Sequence, residues 1–279
     1  MSSVKVKVKV KVNVKVKVKN MKHWFIFYEG ALLVEKDDEG KHSVPQSENC
    51  PVMISENDSS HNIEPYPDGT EVVAVFLGKK EVMPSLSSRQ EFVNLRETYY
   101  LLDSETYRKA GKCEEIMYWD SQTRYCGVCG TAMSWHTDIS KKCPHCGKEV
   151  WPLLATAIIV LIHKGDEVLL VRGRNFRRHF YGLVAGFVET GETLEEAVRR
   201  EVKEETGLTI DNIRYFDSQP WPFPCGLMVG FEADYSGGEI HIQEEELHCA
   251  QWFKKDNLPT LPEKLSIARR LIDHWVNEE

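Results

Sequence analysis

The chain has 279 residues, of which 42% are hydrophobic and 28% charged, a composition typical of a globular protein with about two domains. No apolar run reaches the roughly 20 residues that a membrane-spanning helix needs, and the N-terminus lacks an apolar signal core, so we expect a cytoplasmic protein without a membrane partner. Residues 1–20 contain seven lysines and no acidic residue, which leaves 28 basic against 43 acidic residues in the rest of the chain. This acidic body disfavours a general nucleic-acid binder and suits a protein that attracts metal cations.

Residues 1–20 form a low-complexity leader in which valine and lysine alternate, with one interruption at Asn13. A period of two would place the valines on one face of a strand and the lysines on the other. Two interpretations remain open. The leader is either a cationic arm for RNA or a membrane surface, or a segment without a role in the folded protein, whose natural start is then Met21.

Residues 21–118 are predicted to form a β-rich domain that ends in helices. Short apolar runs alternate with turn-rich stretches between residues 23 and 86, and residues 72–78 are an example of such a run. The polar stretch over residues 55–68 is predicted to be a loop. The apolar spacing then changes and predicts helical structure over residues 90–118.

Residues 119–152 contain two CxxC-G knuckles, separated by thirteen residues between the second and third cysteines. The four cysteines are Cys126, Cys129, Cys143 and Cys146. Four thiolates close a tetrahedral zinc shell and leave no open position, so this spacing predicts a structural zinc ribbon. A redox role for the cysteines is the alternative. The ribbon itself either joins the flanking domains or binds nucleic acid.

Residues 153–279 alternate predicted strands and helices. The strands are expected over residues 155–162, 167–172, 183–188, 227–233 and 239–242, and the helices over residues 193–206 and 262–276. Strands with helices before and after them favour a mixed sheet between helices, an α/β/α sandwich. The whole chain is therefore assigned to the α+β class.

The helix over residues 193–206 is unusually rich in glutamate. Thr193 with Glu196 predicts a capping box at its start, and Gly207 predicts its end. At about 100° per residue, the helical wheel places three glutamates on the apolar stripe that packs inward. These are Glu201, Glu204 and Glu205. Inward carboxylates are costly to bury without a cation, so the pattern predicts a Mg²⁺ or Mn²⁺ site.

Nine residues around this helix match the pattern Gx5Ex7REUxEExGU, in which U is aliphatic: Gly186, Glu192, Arg200, Glu201, Val202, Glu204, Glu205, Gly207 and Leu208. The segment resembles the box of the Nudix hydrolases. This resemblance implies a loop-helix-loop that holds divalent metal against a pyrophosphate, which water then attacks. We expect Arg200 to orient the glutamates rather than to touch the substrate.

A proline- and aromatic-rich array follows the box over residues 218–226. Its prolines predict a stiff loop that is neither strand nor helix, and its two aromatic rings could stack on a flat heterocycle. A buried turn is an equally good interpretation of these residues. The array resembles the SQPWPFPxS sequence of NADH pyrophosphatases, a Nudix family with an N-terminal β domain and a zinc ribbon, and the resemblance covers residues 22–279.

The resemblance implies hydrolysis of NAD(H) to a nicotinamide mononucleotide and AMP by a homodimer, and some family members remove NAD caps from RNA. It assigns the catalytic metal to Glu201 and Glu205, with Glu204 in or beside the shell, Glu246 downstream and the carbonyl of Ala185. It assigns substrate contacts to Trp151, Phe187, Asp138, Ala268 and the array, which consists of Ser218, Gln219, Pro220, Trp221, Pro222, Phe223, Pro224, Cys225 and Gly226.

Three departures from the family pattern concern the substrate preference. Gly226 replaces the final serine of the array, and Trp151 replaces a tyrosine. The residues after Trp151 keep one proline of a Pro-Arg-x-Asp-Pro sequence and lack the arginine, the aspartate and the second proline. NADH, NAD-capped RNA and ADP-ribose remain open as substrates, and a catalytically silent nucleotide-binding module is the alternative outside the enzymes.

Overall fold

In the computed structural model, the described residues are 21–78, 85–174 and 179–277. The Val/Lys leader predicted over residues 1–20 lies outside them. No described helix is both long and apolar enough to cross a membrane. The described part of the chain forms an N-terminal β domain, a small ribbon and a C-terminal sandwich, and it confirms the predicted α+β class.

The N-terminal domain is built on a twisted sheet against one long helix. Its elements are β1 (Lys22–Tyr28), β2 (Ala31–Lys36), β3 (His42–Ser43), β4 (Gln46–Ser47), β5 (Ser59–Ile63), β6 (Val72–Phe76), β7 (Gln90–Asn94), a 3₁₀ turn (Glu97–Tyr100) and α1 (Ser104–Gln122). The strand order is β3-β2-β1-β6-β5, with β4 beside β1 and β7 beside β2. In β1, Phe25 and Phe27 pack with residues of α1, whereas Trp24 and Ile26 pack on the opposite face.

Two sequence predictions for this domain are wrong. Residues 55–68 contain the strand β5, and residues 90–94 form β7 rather than the start of a helix. Phe92 lies opposite Leu33 of β2, so pairing between strands overrides the helical spacing of the apolar residues. The helix α1 begins only after Asp103, whose carboxylate accepts hydrogen bonds from the backbone N–H groups of Glu105 and Thr106. It ends at Gln122, beyond the predicted domain limit at residue 118.

The ribbon contains three two-residue strands, β8 (Ser134–Trp135), β9 (Lys141–Lys142) and β10 (Glu149–Val150). Lys141 is buried and joins the ribbon to the end of α1. Its ammonium group lies 2.6 Å from a carboxylate oxygen of Asp120 and donates to the carbonyls of Asp120 and Thr123. The ammonium also lies over the rings of Trp119 and Trp135. One cation thus satisfies the carbonyls at the C-terminus of α1 and fixes the ribbon beneath them.

The C-terminal domain is the predicted α/β/α sandwich. Its elements are β11 (Ala155–Lys164), β12 (Glu167–Gly173), β13 (Val184–Phe187), α2 (Leu194–Thr206), β14 (Thr209–Trp221), β15 (Gly226–Gly237), β16 (Leu247–Lys254) and α3 (Ile267–Asn277). The strand order is β14-β15-β11-β12-β16, with β13 beside β11, and only β11 and β15 run parallel. Alternate residues of β11 divide the core: Ile158 and Val160 pack towards α2, whereas Ile159 and Leu161 pack towards α3.

Three predictions for this domain need correction. No strand forms over residues 239–242, because this segment crosses the end of α2, where the N–H of His241 donates to the carbonyl of Thr206. The closing helix begins at Ile267 rather than at residue 262. The array was expected to be irregular, but residues 218–221 end β14 and Gly226 begins β15. Because β14 is an edge strand, Pro220 can lie in it without a backbone N–H to donate.

We predict that Lys141→Met lowers the free energy of unfolding by roughly 2–3 kcal/mol, because it leaves the Asp120 carboxylate and the helix carbonyls without their cation. Denaturant unfolding of the zinc-loaded protein measures this change. Lys142→Met is the matched control, since the neighbouring lysine is exposed. Equal stability of the two variants would contradict the role of Lys141.

Candidate metal and nucleotide site

The four cysteines of the ribbon lie together. Their sulfur atoms are all within 4.8 Å of one another, with 3.6 Å between Cys126 and Cys146 and 3.5 Å between Cys129 and Cys143. A tetrahedral zinc ion with Zn–S bonds of about 2.3 Å separates its sulfurs by about 3.8 Å. The distances are too long for a disulfide bond, and they fit the predicted zinc site.

The knuckle glycines explain this convergence. Gly130 and Gly147 both have φ near +74°, a conformation that residues with a Cβ rarely adopt. Each turn directs a backbone N–H at a sulfur, from Val128 to Cys126 and from Cys146 to Cys143. The cluster therefore has the closed arrangement of a structural site.

The glutamate helix begins as its sequence predicts. The Thr193 hydroxyl accepts a hydrogen bond from the N–H of Glu196, and the Glu196 carboxylate accepts one from the N–H of Thr193, so the capping box is confirmed. Gly207 ends the helix with φ of 74°. These two ends fix the register in which the glutamates face the sheet.

Glu201 and Glu205 are buried, as predicted, and they face β13. A Cβ on Gly186 would lie 2.0 Å from the carboxyl carbon of Glu201, so only glycine leaves space for this carboxylate. The prediction that Glu204 packs inward is wrong, because its side chain is 54% exposed, whereas its place in or beside the metal shell stays a prediction. It lies at the margin of the inward stripe, where its carboxylate reaches solvent and Arg200.

Arg200 binds several carboxylates at once. Its guanidinium donates to both oxygens of Glu192, at 3.0 and 2.6 Å, to Glu201 at 2.8 Å and to Glu204 at 3.1 Å. It also donates to the carbonyl of Phe187. The planar guanidinium joins the loop before α2 to the helix. Its N–H groups donate to other groups of the protein. The contacts support the predicted orienting role of Arg200.

The surroundings of Glu205 disfavour its ionised form. Burial first, and then the charges of Glu201, Glu246 and Glu204, raise its pKa to about 8. Burial is also the main cause that raises the pKa of Glu201, against the opposing effect of Arg200. These carboxylates are shielded from water and repel one another. A divalent cation bound between them would relieve this repulsion.

The predicted metal ligands meet at a small cleft. Ala185, Glu205 and Glu246 line this cleft, which has a volume of about 180 Å³, and Glu201 lies at the adjacent Gly186. Among the described residues, only the four cysteines bring three or more ligand atoms within 4.8 Å, so the glutamate oxygens are spread more widely. The predicted ligand atoms at the cleft, carboxylate and carbonyl oxygens, are all oxygens. Such a set fits Mg²⁺ or Mn²⁺ rather than a soft metal.

A larger apolar pocket of about 430 Å³ adjoins the carboxylate cleft. It is lined by Trp221 of the array and by Ala268 of α3, two of the predicted substrate contacts. Leu183 and Ala185 line both the pocket and the cleft, so the two share one wall. A flat base in the pocket would thus lie beside a pyrophosphate over the carboxylates.

The remainder of the array connects β14 to other elements. The Gln219 amide donates to the carbonyl of Leu265 and accepts from the N–H of Ile267, which fixes the start of α3. Ser218, Gln219, Pro220 and Pro222 line a separate groove against α1. A Cβ on Gly226 would lie 3.3 Å from the carbonyl oxygens of Ala155 and Trp221, so a serine would be crowded there.

Three predicted substrate contacts lie away from the pocket within this chain. Trp151 and Phe187 are exposed and do not line it, and the backbone carbonyl of Asp138 contacts His61 of the N-terminal domain. Cys225, with Phe223 and Pro224, lies in the turn between β14 and β15. A substrate role for these residues stays a prediction.

Sequence reasoning missed Arg96. Its guanidinium lies 3.9 Å from the ring centre of Phe223 and 4.9 Å from that of Trp221, and it lines the apolar pocket. A lone arginine before a 3₁₀ turn carries no sequence signal. Only the packing of the N-terminal domain against the array brings it to the pocket.

For the zinc site, we predict one tightly bound zinc ion per chain. Cys143→Ser should lose it and unfold at lower denaturant concentration, since metal binding there is coupled to folding. Cys50→Ser, which removes a thiol outside the cluster, should keep both the zinc and the stability. Stoichiometric iron, or full stability without metal, would exclude a structural zinc site.

For the carboxylates, we predict that the protein without Mg²⁺ or Mn²⁺ loses stability as the pH rises. The raised pKa of Glu205 stabilises the fold below about pH 4.5, and this contribution is lost as the pH rises through about 8. Glu205→Gln should therefore raise the melting temperature more at pH 9 than at pH 5. Glu195→Gln, on the exposed face of α2, is the control. If the melting temperatures of wild type and Glu205→Gln changed with pH in parallel, the raised pKa of Glu205 would be contradicted.

Two family models match the chain. The NUDIX domain model matches residues 152–276, and the NADH pyrophosphatase-like rudimentary NUDIX domain model matches residues 21–119. A crystal structure of a NUDIX hydrolase from Nitrosomonas europaea aligns with a TM-score of 0.48 and 19% identity, over 56% of this chain and 92% of that chain.

Two curated relatives carry the name NAD-capped RNA hydrolase NudC. The protein from Stutzerimonas stutzeri (strain A1501) is 44% identical over 205 residues, which cover 72% of this chain and 73% of the relative. The protein from Pseudomonas aeruginosa (strain LESB58) is 46% identical over 175 residues, which cover 62% of this chain and 63% of the relative. With its intact box, carboxylate cleft and four-cysteine ribbon, the chain belongs to the NADH pyrophosphatase family of Nudix hydrolases.

Proposed function

We propose that the protein hydrolyses the pyrophosphate bond of NAD(H), giving a nicotinamide mononucleotide and AMP, and that it also removes NAD caps from RNA. The observation that carries this proposal is the wall shared by the apolar pocket and the carboxylate cleft, formed by Leu183 and Ala185. It allows a base and the adjoining pyrophosphate to bind together. The name of the two relatives supports the RNA substrate.

The chain supplies binding and orientation for this reaction. The carbonyl of Ala185 and the carboxylates of Glu201, Glu205 and Glu246 would hold divalent cations, with Glu204 at the edge. Bound Mg²⁺ or Mn²⁺ supplies Lewis acidity at the phosphoryl oxygens and lowers the pKa of the attacking water. Arg200 keeps the glutamates in position through the hydrogen bonds described above.

Trp221 and Arg96 form one end of the substrate pocket. The indole ring offers a stacking surface, and the guanidinium above Trp221 and Phe223 holds the two rings in place. The N-terminal domain therefore contributes to a pocket whose other walls belong to the C-terminal domain.

We also propose a homodimer. Trp151, Leu153, Leu154 and Phe187 are all exposed, by 49 to 84%. Phe187 pairs with Ala157 near the start of β11, and Leu153 and Leu154 directly precede that strand in the chain. A second copy of the chain would cover this apolar patch and complete the site with Trp151. Light scattering should give twice the mass of the chain for the wild type and the single mass for Leu153→Asp.

We also propose a cytoplasmic location, which the free cysteines of the ribbon support, because thiols stay reduced in a reducing compartment.

The substrate test compares NADH with ADP-ribose, which lacks the nicotinamide base. Trp221→Ala should lower kcat/KM for NADH by roughly tenfold, because one stacking interaction corresponds to about one decade in rate. ADP-ribose hydrolysis should fall much less. Trp221→Phe, which keeps an aromatic ring, should restore most of the rate on NADH.

Glu205→Gln is the matched catalytic variant, and it should lose orders of magnitude in rate on both substrates. If Trp221→Ala lowers both rates equally, the array has a structural role and NADH specificity loses its main support. A Glu205→Gln enzyme with near-normal turnover would show that the inward glutamates are not the metal site.

A further inference from the structure

The acidic protein has a local basic surface beside the carboxylate cleft. It consists of Arg172 and Arg174 at the end of β12, His179 before β13 and His248 in β16. His248 interacts electrostatically with both arginines and with His179, so the four side chains share one region. We define these four residues as the basic surface.

Strand register places the basic surface at the cleft. Arg172 pairs with Cys249, and Gly173 pairs with Leu247 after a bulge, which brings His248 next to both arginines. Gly173 and Leu247 line the carboxylate cleft, and His179 lines the apolar pocket. The basic surface therefore lies where the pocket and the cleft meet solvent.

The arginines of the basic surface have no acidic partner. Among the described residues, neither Arg172 nor Arg174 forms an ion pair, although Glu244 to Glu246 follow one another nearby. Arg174 donates instead to the backbone carbonyl of Glu244. The Nε of Arg172 is buried and has no hydrogen-bond partner, a costly state for a charged donor. An external anion would satisfy these groups.

Resting on the proposed function, we infer that the basic surface binds the phosphates of a single-stranded RNA chain that continues from the adenosine of an NAD cap. The pyrophosphate itself lies over the carboxylates and their cations, so the arginines are available to phosphates farther along the chain. Beyond the leader the chain as a whole has 28 basic against 43 acidic residues, a balance that repels RNA. Local cations are then needed to hold the chain.

The test compares NADH with a short single-stranded RNA that carries a 5′ NAD cap. Arg172→Gln/Arg174→Gln should lower kcat/KM for the capped RNA about tenfold and leave that for NADH within about twofold. Two lost phosphate contacts should also reduce the slope of log K against log salt by about 1.4 for a single strand. Arg214→Gln, which removes an exposed arginine from β14, is the matched control and should change neither substrate.

Two further measurements separate the possible failures. Arg174→Gln/His248→Gln changes only exposed side chains and should show the same selective loss if Arg172→Gln impairs folding. In a Glu205→Gln background, the affinity for capped RNA should fall about tenfold when the two arginines are changed, without any need for turnover. An equal loss on NADH, or an unchanged affinity for RNA, would overturn the inference. A wild type that hydrolyses neither substrate would instead contradict the proposed function.

Discussion

The structure depends on keeping like charges together on the inner face of α2. Glu201 fits only because Gly186 has no side chain, and burial, followed by the charges of the neighbouring carboxylates, raises the pKa of Glu205 to about 8. Arg200 offsets part of this repulsion through its hydrogen bonds to Glu192, Glu201 and Glu204, but among the described residues it donates no hydrogen bond to Glu205. The fold thus brings together carboxylates whose mutual repulsion a divalent cation would relieve.

The rest of the molecule shapes the apolar pocket beside this cleft. The N-terminal domain provides Arg96 against the array, and α1 packs so closely on it that a Cβ on Gly111 would lie 3.1 Å from Pro222. The ribbon is fixed to the end of the same helix by the buried Lys141. The zinc ribbon and the N-terminal sheet therefore support the wall of a pocket that belongs mostly to the C-terminal domain.

Local signals predicted the capping box of α2 and the four-cysteine cluster correctly, because each depends on residues that lie close together in the sequence. Predictions failed where contacts distant in sequence decide the structure. Pro220 lies in a strand because that strand is at the edge of the sheet, and Gln90–Asn94 is a strand because β2 pairs with it. Arg96 reaches the pocket because the N-terminal domain packs against the array, and residue spacing in the sequence does not predict this packing.

We propose that the carboxylates of α2, with the Ala185 carbonyl and Glu246, bind the catalytic cation. Diffraction from crystals soaked in Mn²⁺, recorded at a wavelength where manganese scatters anomalously, tests this most directly. We expect a peak about 2.0–2.2 Å from oxygens of Glu201, Glu205 or Glu246, within the cleft beside the Ala185 carbonyl. A peak elsewhere on the protein, with the cleft carboxylates uncoordinated at saturating Mn²⁺, would contradict this assignment.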